Sequence, residues 1–348
     1  MSDTPSVSEP AATTTLVEPV EDAAPPKSRR KLLIVLISIV LLILLLVGAA
    51  FLWYAVTKKP LTQLPMLSSA TPPHYVATMY DVQQPIGVAV DEPNNRVYVT
   101  QSEGDRVVAV FDMSGNKLDP LKPPGDPKAF HIPVYVAVDP TTSNVYVSDR
   151  ATSSVYVYDA NGAFIKEFKP TGVKAWQPLA LSFDTTGNLF VTDVLAPTQK
   201  VLKITPDGTV AQTFGEKDGL AFPNGVVAAP DGTVYVTDSN HSRALAYKAD
   251  GTLVGSFARG SSDSPLGLPR GITIDDRGRI YVVDTTNQDF QVFTPGDTPT
   301  DVPTYSFSAG EEGTAEGSFE YPNGIAVDSR SRLYITDREN NRVQVWSY

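Results

Sequence analysis

Three imidazoles suffice for an open catalytic zinc site, and this chain carries three histidines, His74, His131 and His241. Their local contexts differ: His74 precedes Tyr-Val, His131 precedes Ile-Pro, and His241 lies within Ser-Asn-His-Ser-Arg. Nothing in the sequence requires them to converge, and isolated loop histidines are the plainer reading. A hard divalent cation would need several oxygens, usually including carboxylates. Asn224 and Asn323, in the twin stretches FPNG and YPNG, are the candidates, although Asn at such positions also caps turns. Asp238 with Arg243 and Asp337 with Arg342 repeat one acid–base spacing. Recurrence favours ion pairing in a framework over catalysis. No Gly-x-Ser-x-Gly elbow presents a serine nucleophile, and the absence of cysteine removes thiolate chemistry, thiolate metal sites and disulfides.

The elements that would position these residues form a repeat. The segments QPIGVAVDEPNNRVYVTQ, IPVYVAVDPTTSNVYVSD, QPLALSFDTTGNLFVTD, FPNGVVAAPDGTVYVTD, LPRGITIDDRGRIYVVD and YPNGIAVDSRSRLYITD share one pattern. Their prolines, Pro85, Pro133, Pro178, Pro223, Pro269 and Pro322, are spaced by 48, 45, 45, 46 and 53 residues. Periods of this length mark repeat architectures. In each unit a short alternating strand follows the proline. A turn rich in Asp, Asn and Gly comes next, then a second strand with one aromatic: Tyr98, Tyr146, Phe190, Tyr235, Tyr281 or Tyr334. Three residues later stands Asp149, Asp193, Asp238, Asp284 or Asp337, with Gln101 in the first unit. Third and fourth strands follow, so the pattern predicts an all-β, six-bladed β-propeller over 74–348. The sixth unit lacks a fourth strand, and HYVATMY precedes the first unit. Strand 75–80 is therefore expected to pair with strand 342–348 and close the ring, leaving no free edge.

The order Pro-x-Gly, Val-Asp, turn, Tyr-Val-x-Asp, then Asn-x-Arg-Val resembles the NHL repeat family over roughly residues 75–348. YPNGIAVDSRSRLYITDRENNRVQVW is the closest unit. The resemblance implies the fold and leaves the activity open, since propellers host many functions. Relatives of this kind include sensor domains, RNA-binding regions and zinc lyases with histidines in the central channel. The gluconolactonase and senescence-marker propellers are similar too, and hold a divalent cation on the axis. By that likeness Asn224 would be the metal-binding residue, with Asn323 its copy. The matching positions in the other units are Ile86, Val134, Leu179 and Arg270; none is acidic, and Arg270 would repel a cation.

Ahead of the repeat, residues 1–31 read as a disordered cytoplasmic tail. Leu32 to Val56 is a charge-free apolar run long enough to cross a bilayer. Lys27, Arg29, Arg30 and Lys31 precede it and Lys58 and Lys59 follow it, which orients the N-terminus inside the cell. A cleaved signal peptide is the competing reading, but its apolar region would be shorter. Residues 57–73 read as a Pro-rich linker. Formal net charge is −11, and only four of the 28 basic and five of the 39 acidic residues precede Leu32. The remainder is acidic, which opposes nucleic-acid binding.

These features lead to an expected single-pass plasma-membrane protein displaying its propeller outside the cell. Its expected role is to bind a protein, peptide, glycan or small molecule, with no cofactor. The alternative is a metal-dependent lactonase, hydrolase or lyase with a divalent cation in the channel. The loops before strand one and between strands two and three share a face. The binding candidates there are Trp176, Asn224, His241, Arg243, Arg270, Asn323 and Arg342, with Arg338 and Glu339 alongside. The loop SAGEEGTAEGSFEY on that face is expected to be mobile, and the insertion 294–304 to lie on the opposite face.

Overall fold

The computed structural model describes residues 27–57, 72–126, 129, 131–258, 266–296, 298 and 300–348. The expected tail over 1–26 and the linker over 58–71 lie outside the described residues. The chain divides into two compact units, 1–58 and 59–348.

The first unit contains one helix, Lys27–Thr57, which begins five residues before the predicted apolar span. Leu and Ala favour the helix, and no proline interrupts it. Its described apolar side chains lie largely exposed on every face, from Ile34 at 63 % to Val47 at 60 %. Among the described residues, no helix is long and apolar enough to cross a membrane. The transmembrane helix expected over 32–56 is therefore not supported here.

The second unit is a six-bladed propeller, each blade a four-stranded antiparallel sheet. The innermost strands are Pro85–Asp91, Pro133–Val138, Pro178–Phe183, Pro223–Ala228, Pro269–Ile274 and Pro322–Val327, in blades I to VI. Their outer neighbours follow in sequence order in blades I to V. Blade VI is different. Its outermost strand is His74–Met79, paired antiparallel with Arg342–Ser347 in the register His74↔Ser347 to Met79↔Val343. The predicted closure is borne out to within a residue at each strand end. Trp346, on this seam, stacks on Phe319 with ring centroids 5.6 Å apart and meets Phe290 edge-on at 5.3 Å.

The repeat residues act as framework. Each repeated acid accepts a backbone N–H from the loop entering its own blade: Ile132 N to Asp149 at 3.3 Å, Gln177 N to Asp193 at 2.8 Å, Ala221 N to Asp238 at 2.7 Å, Gly267 N to Asp284 at 2.7 Å and Glu320 N to Asp337 at 2.7 Å. Gln101 takes the same role for Gln83 N at 2.8 Å. The residue before that acid links neighbouring blades. Thr100 donates to the Val134 carbonyl at 2.8 Å, Ser148 to Leu179 at 2.6 Å, Thr237 to Arg270 at 2.6 Å, and Thr336 across the seam to Ile86 at 2.8 Å. A hydrophobic core lies between successive blades, where Tyr98, Phe190, Tyr281 and Tyr334 are each no more than 1 % exposed.

Around the axis the innermost strands approach too closely for a side chain. A Cβ on Gly324 would lie 2.3 Å from the Ile86 carbonyl oxygen, and one on Gly225 would lie 2.4 Å from that of Arg270. Gly87 and Gly271 occupy the same position. Blade III places Ala180 there and blade II places Tyr135. The loop 308–321, expected to be mobile, is instead tied down over 314–318. Arg342 donates to the carbonyls of Thr314, Ala315 and Ser318. Gln344 accepts from Gly317 N at 3.0 Å, and Phe319 is fully buried.

Candidate functional site at the axial mouth

On the face formed by the loops before strand one and after strand two, the axis opens into a cavity of about 280 Å³. It is lined by Ile86, Ser102, Glu103, Ile132, Val134, Arg150, Arg270, Asn323 and Arg338. Below it the channel narrows to about 40 Å³ between the six innermost strands, with Tyr135 among its lining residues. A cavity of about 200 Å³ at other turns of blades I, II and VI is lined by Asp91, Glu92, Asp139 and Asp328. Those acids are occupied. Asp139 accepts from Thr141 and Thr142, Asp328 from Arg332, and Glu92 from Ser329.

The mouth is built by single substitutions within the repeat. Arg270 follows Pro269 on the innermost strand of blade V, where blades I to III carry Ile86, Val134 and Leu179. Its Nε is buried without a hydrogen-bond partner, and no carboxylate forms an ion pair with it among the described residues. Burial lowers the pKa of this guanidinium; Tyr135 opposes the shift and Arg338 adds to it. An arginine nevertheless stays charged at any physiological pH. Arg338 donates to Gln84 Oε1 at 2.9 Å and lies 3.5 Å from Glu339, while its own Nε is buried without a partner. Arg150 is exposed. Tyr135 is 8 % exposed and its hydroxyl has no partner; burial pushes its pKa up to about 12, with Arg270 acting in the other direction. Asn323 is 2 % exposed and its side-chain carbonyl oxygen is likewise unpaired. Buried polar groups are normally satisfied; here three residues with unpaired buried atoms line one cavity, and a fourth, Tyr135, lines the channel below it.

The residues singled out from the sequence divide into two groups. Arg270 and Asn323 line the mouth together with Arg338. Trp176, expected as an exposed anchor, is a core residue at 6 % exposure, edge-on to Phe168 at 6.4 Å. Arg342 is 4 % exposed and is consumed by Asp337 and the 308–321 loop. Asn224 is 3 % exposed and donates to Ser239 Oγ at 2.8 Å. His241 and Arg243 both engage Asp238, at 2.9 and 2.8 Å. Tyr135 escaped the sequence reading. Its signal was there: an aromatic in register with the glycines of four other units.

The three histidines do not meet. His74 pairs with Ser347 on the seam strand, His131 binds Asp149 at 2.7 Å in blade II, and His241 lies in blade IV. Among the described residues, no group of three or more His, Asp and Glu side chains could hold a metal ion. The mouth itself, with its arginines, does not suit a divalent cation.

Comparison with known proteins agrees with the fold. Residues 319–346 match the NHL repeat model, and residues 181–308 match the SMP-30/gluconolactonase/LRE-like region. NHL repeat-containing protein 3 of Homo sapiens is 26 % identical over 170 residues, covering 42 % of this chain and 45 % of that protein. Its Mus musculus counterpart is 23 % identical over 225 residues, covering 61 % and 50 %. The chain thus spans about half the length of the curated relatives it matches. Among solved structures, a gluconolactonase from Xanthomonas campestris superposes with a TM-score of 0.59 at 20 % identity, over 80 % of this chain and 95 % of that one. A Bacteroides thetaiotaomicron protein of unknown function gives 0.60 at 19 %, over 80 % and 72 %. Virginiamycin B lyase from Staphylococcus aureus gives 0.54 at 14 %, over 80 % and 99 %.

Proposed function

We propose that this chain is a membrane-tethered, extracytoplasmic binding module whose propeller takes its ligand at the axial mouth. The observation that carries the reading is the set of buried, unpaired polar atoms of Arg270, Arg338 and Asn323 around one cavity. Leaving such groups unsatisfied is costly; other buried atoms, Trp346 Nε1 and Tyr247 Oη among them, also lack partners, but these three residues border one open cavity. A bound ligand would supply the missing partners. The tether rests on the apolar run 32–56 and the basic residues before it, by which the propeller would lie outside the plasma membrane.

A binding screen on the full chain tests the site. Peptides, glycans and small molecules that bind should lose affinity when Ile132→Trp fills the mouth, with the melting temperature unchanged. Binders that ignore this substitution would place the ligand elsewhere and defeat the proposal. Reporter fusions test the topology: a C-terminal reporter active only in the cytoplasm would overturn the tethering.

The gluconolactonase-like match over 181–308 favours a second reading, a metal-dependent hydrolase or lyase. That enzyme requires a stoichiometric divalent metal in the purified protein and loss of activity with chelator. The binding reading expects neither, and expects EDTA to leave thermal stability unchanged.

A further inference from the structure

The mouth's own chemistry narrows the ligand. We infer that it is a small organic oxyanion, bearing a carboxylate or phosphate and a neighbouring hydrogen-bond donor, seated between Arg270 and Arg338. This inference rests on the mouth being the binding site.

Three observations carry it. First, Arg270 and Arg338 line the same cavity, and both leave a buried Nε–H undonated. A guanidinium has a rigid fork that matches carboxylate and phosphate oxygens, and two like charges at one site become favourable when an anion sits between them. Second, Tyr135 lines the channel below the mouth, and its hydroxyl is buried without an acceptor. The groups available there are therefore mainly donors. The acceptors are Glu103 on the rim, whose carboxylate is taken by Arg106 at 3.2 Å, and Asn323 Oδ1, which has no donor. An anion alone would leave it unpaired; a ligand hydroxyl or N–H beside the acid group would satisfy it. Third, the setting is selective. The chain is acidic overall at −11, so this is no part of a general basic surface. The cavity, about 280 Å³, suits a small molecule or a single head group.

Calorimetric titration of the full chain in detergent micelles, with inorganic phosphate, propionate and L-lactate as separate probes, tests this. At least one probe should bind, and Arg270→Met or Arg338→Met should weaken it tenfold or more. Lys166→Gln, an exposed control on an outer strand, should leave it unchanged. L-lactate should bind more tightly than propionate, and Asn323→Leu should abolish that preference. Free Arg270→Met protein should melt no lower than wild type, because it loses an unpaired buried charge; this shows that lost binding is not lost folding. Anion binding that survives both arginine substitutions would be adventitious and would overturn the inference. Equal affinity for L-lactate and propionate would remove the donor requirement. If no anion binds but neutral ligands do, and Ile132→Trp expels them, the binding site stands and the oxyanion falls. If nothing binds in a mouth-dependent way, both fall.

Discussion

Arg342→Met tests how much of the scaffold depends on one buried ion pair, and the repeat supplies its control. Arg342 lies 2.7 Å from Asp337, which is fully buried, and its remaining N–H groups hold three carbonyls of the 308–321 loop at 2.6 to 3.0 Å. Methionine keeps the aliphatic stem but leaves the Asp337 carboxylate with only Glu320 N, Asn340 and Gln344 as donors. Breaking one side of a buried pair costs about 3–5 kcal/mol. At roughly 2–4 °C per kcal/mol for a domain of about this size, the melting temperature should fall by about 6–20 °C. Arg243 holds the same place in blade IV, 2.8 Å from Asp238, but its side chain is 34 % exposed and reaches only one carbonyl, that of Asp218, at 3.3 Å. His241 also stays bound to Asp238. Arg243→Met should therefore cost only about 1–2 kcal/mol. Urea unfolding followed by tryptophan fluorescence would measure both, and Asp337→Asn should recover part of the Arg342→Met loss by removing the stranded charge. Equal losses at the two positions, or no recovery, would refute the claim that burial and the loop contacts decide the cost.

Gly324→Val should destabilise the propeller by about 1–3 kcal/mol, because its Cβ would meet the backbone of Ile86 rather than a movable side chain; a wild-type urea midpoint would contradict the close packing at the axis. Deleting 74–79 should expose the edge of Arg342–Ser347 and remove buried Met79, with a lower melting temperature and concentration-dependent aggregation; wild-type behaviour would deny the seam a role in closure. Burial raises the hydroxyl pKa of Tyr98, Tyr135 and Tyr235 from 10.0 to about 12. The folded state thus holds these protons more tightly than the unfolded state. Their contribution is complete below about pH 10 and disappears as pH rises through about 12. Spectrophotometric titration should show late, unfolding-linked tyrosinate formation, and free titration near 10 in the folded protein would be the contrary result.

Much of this architecture could be read from residue order, because strand alternation and turn chemistry act locally. The proline phase placed all six innermost strands, and the missing fourth strand of the last unit pointed to 75–80. The acids after each second strand were correctly read as framework. Their main partner, the backbone of the loop entering the same blade, was not visible in the pattern. Burial of loop residues was also obscure. Trp176 looked like a surface anchor because it precedes a strand, yet packing against Phe168 encloses it. The composition of 308–321 suggested motion, because Gly and Glu say nothing about Arg342 and Gln344 reaching in from more than twenty residues away. At the mouth, Arg270 and Asn323 stood out as departures from the repeat. Tyr135 differed from it just as clearly, but its meaning depends on where the axis runs.

The seam also sets an order of events. Blades I to V are each made from a continuous stretch of chain, whereas blade VI joins His74 to Ser347. Contacts so distant in sequence form late, and synthesis runs from the N-terminus. Of the propeller strands, His74–Met79 emerges first from the ribosome and finds its partner last. Until Arg342–Ser347 is made it waits as an unsatisfied β-edge, while the five other blades can already form. Completion of the propeller therefore waits on synthesis of Arg342–Ser347, and a product terminated before that strand would remain an open ring.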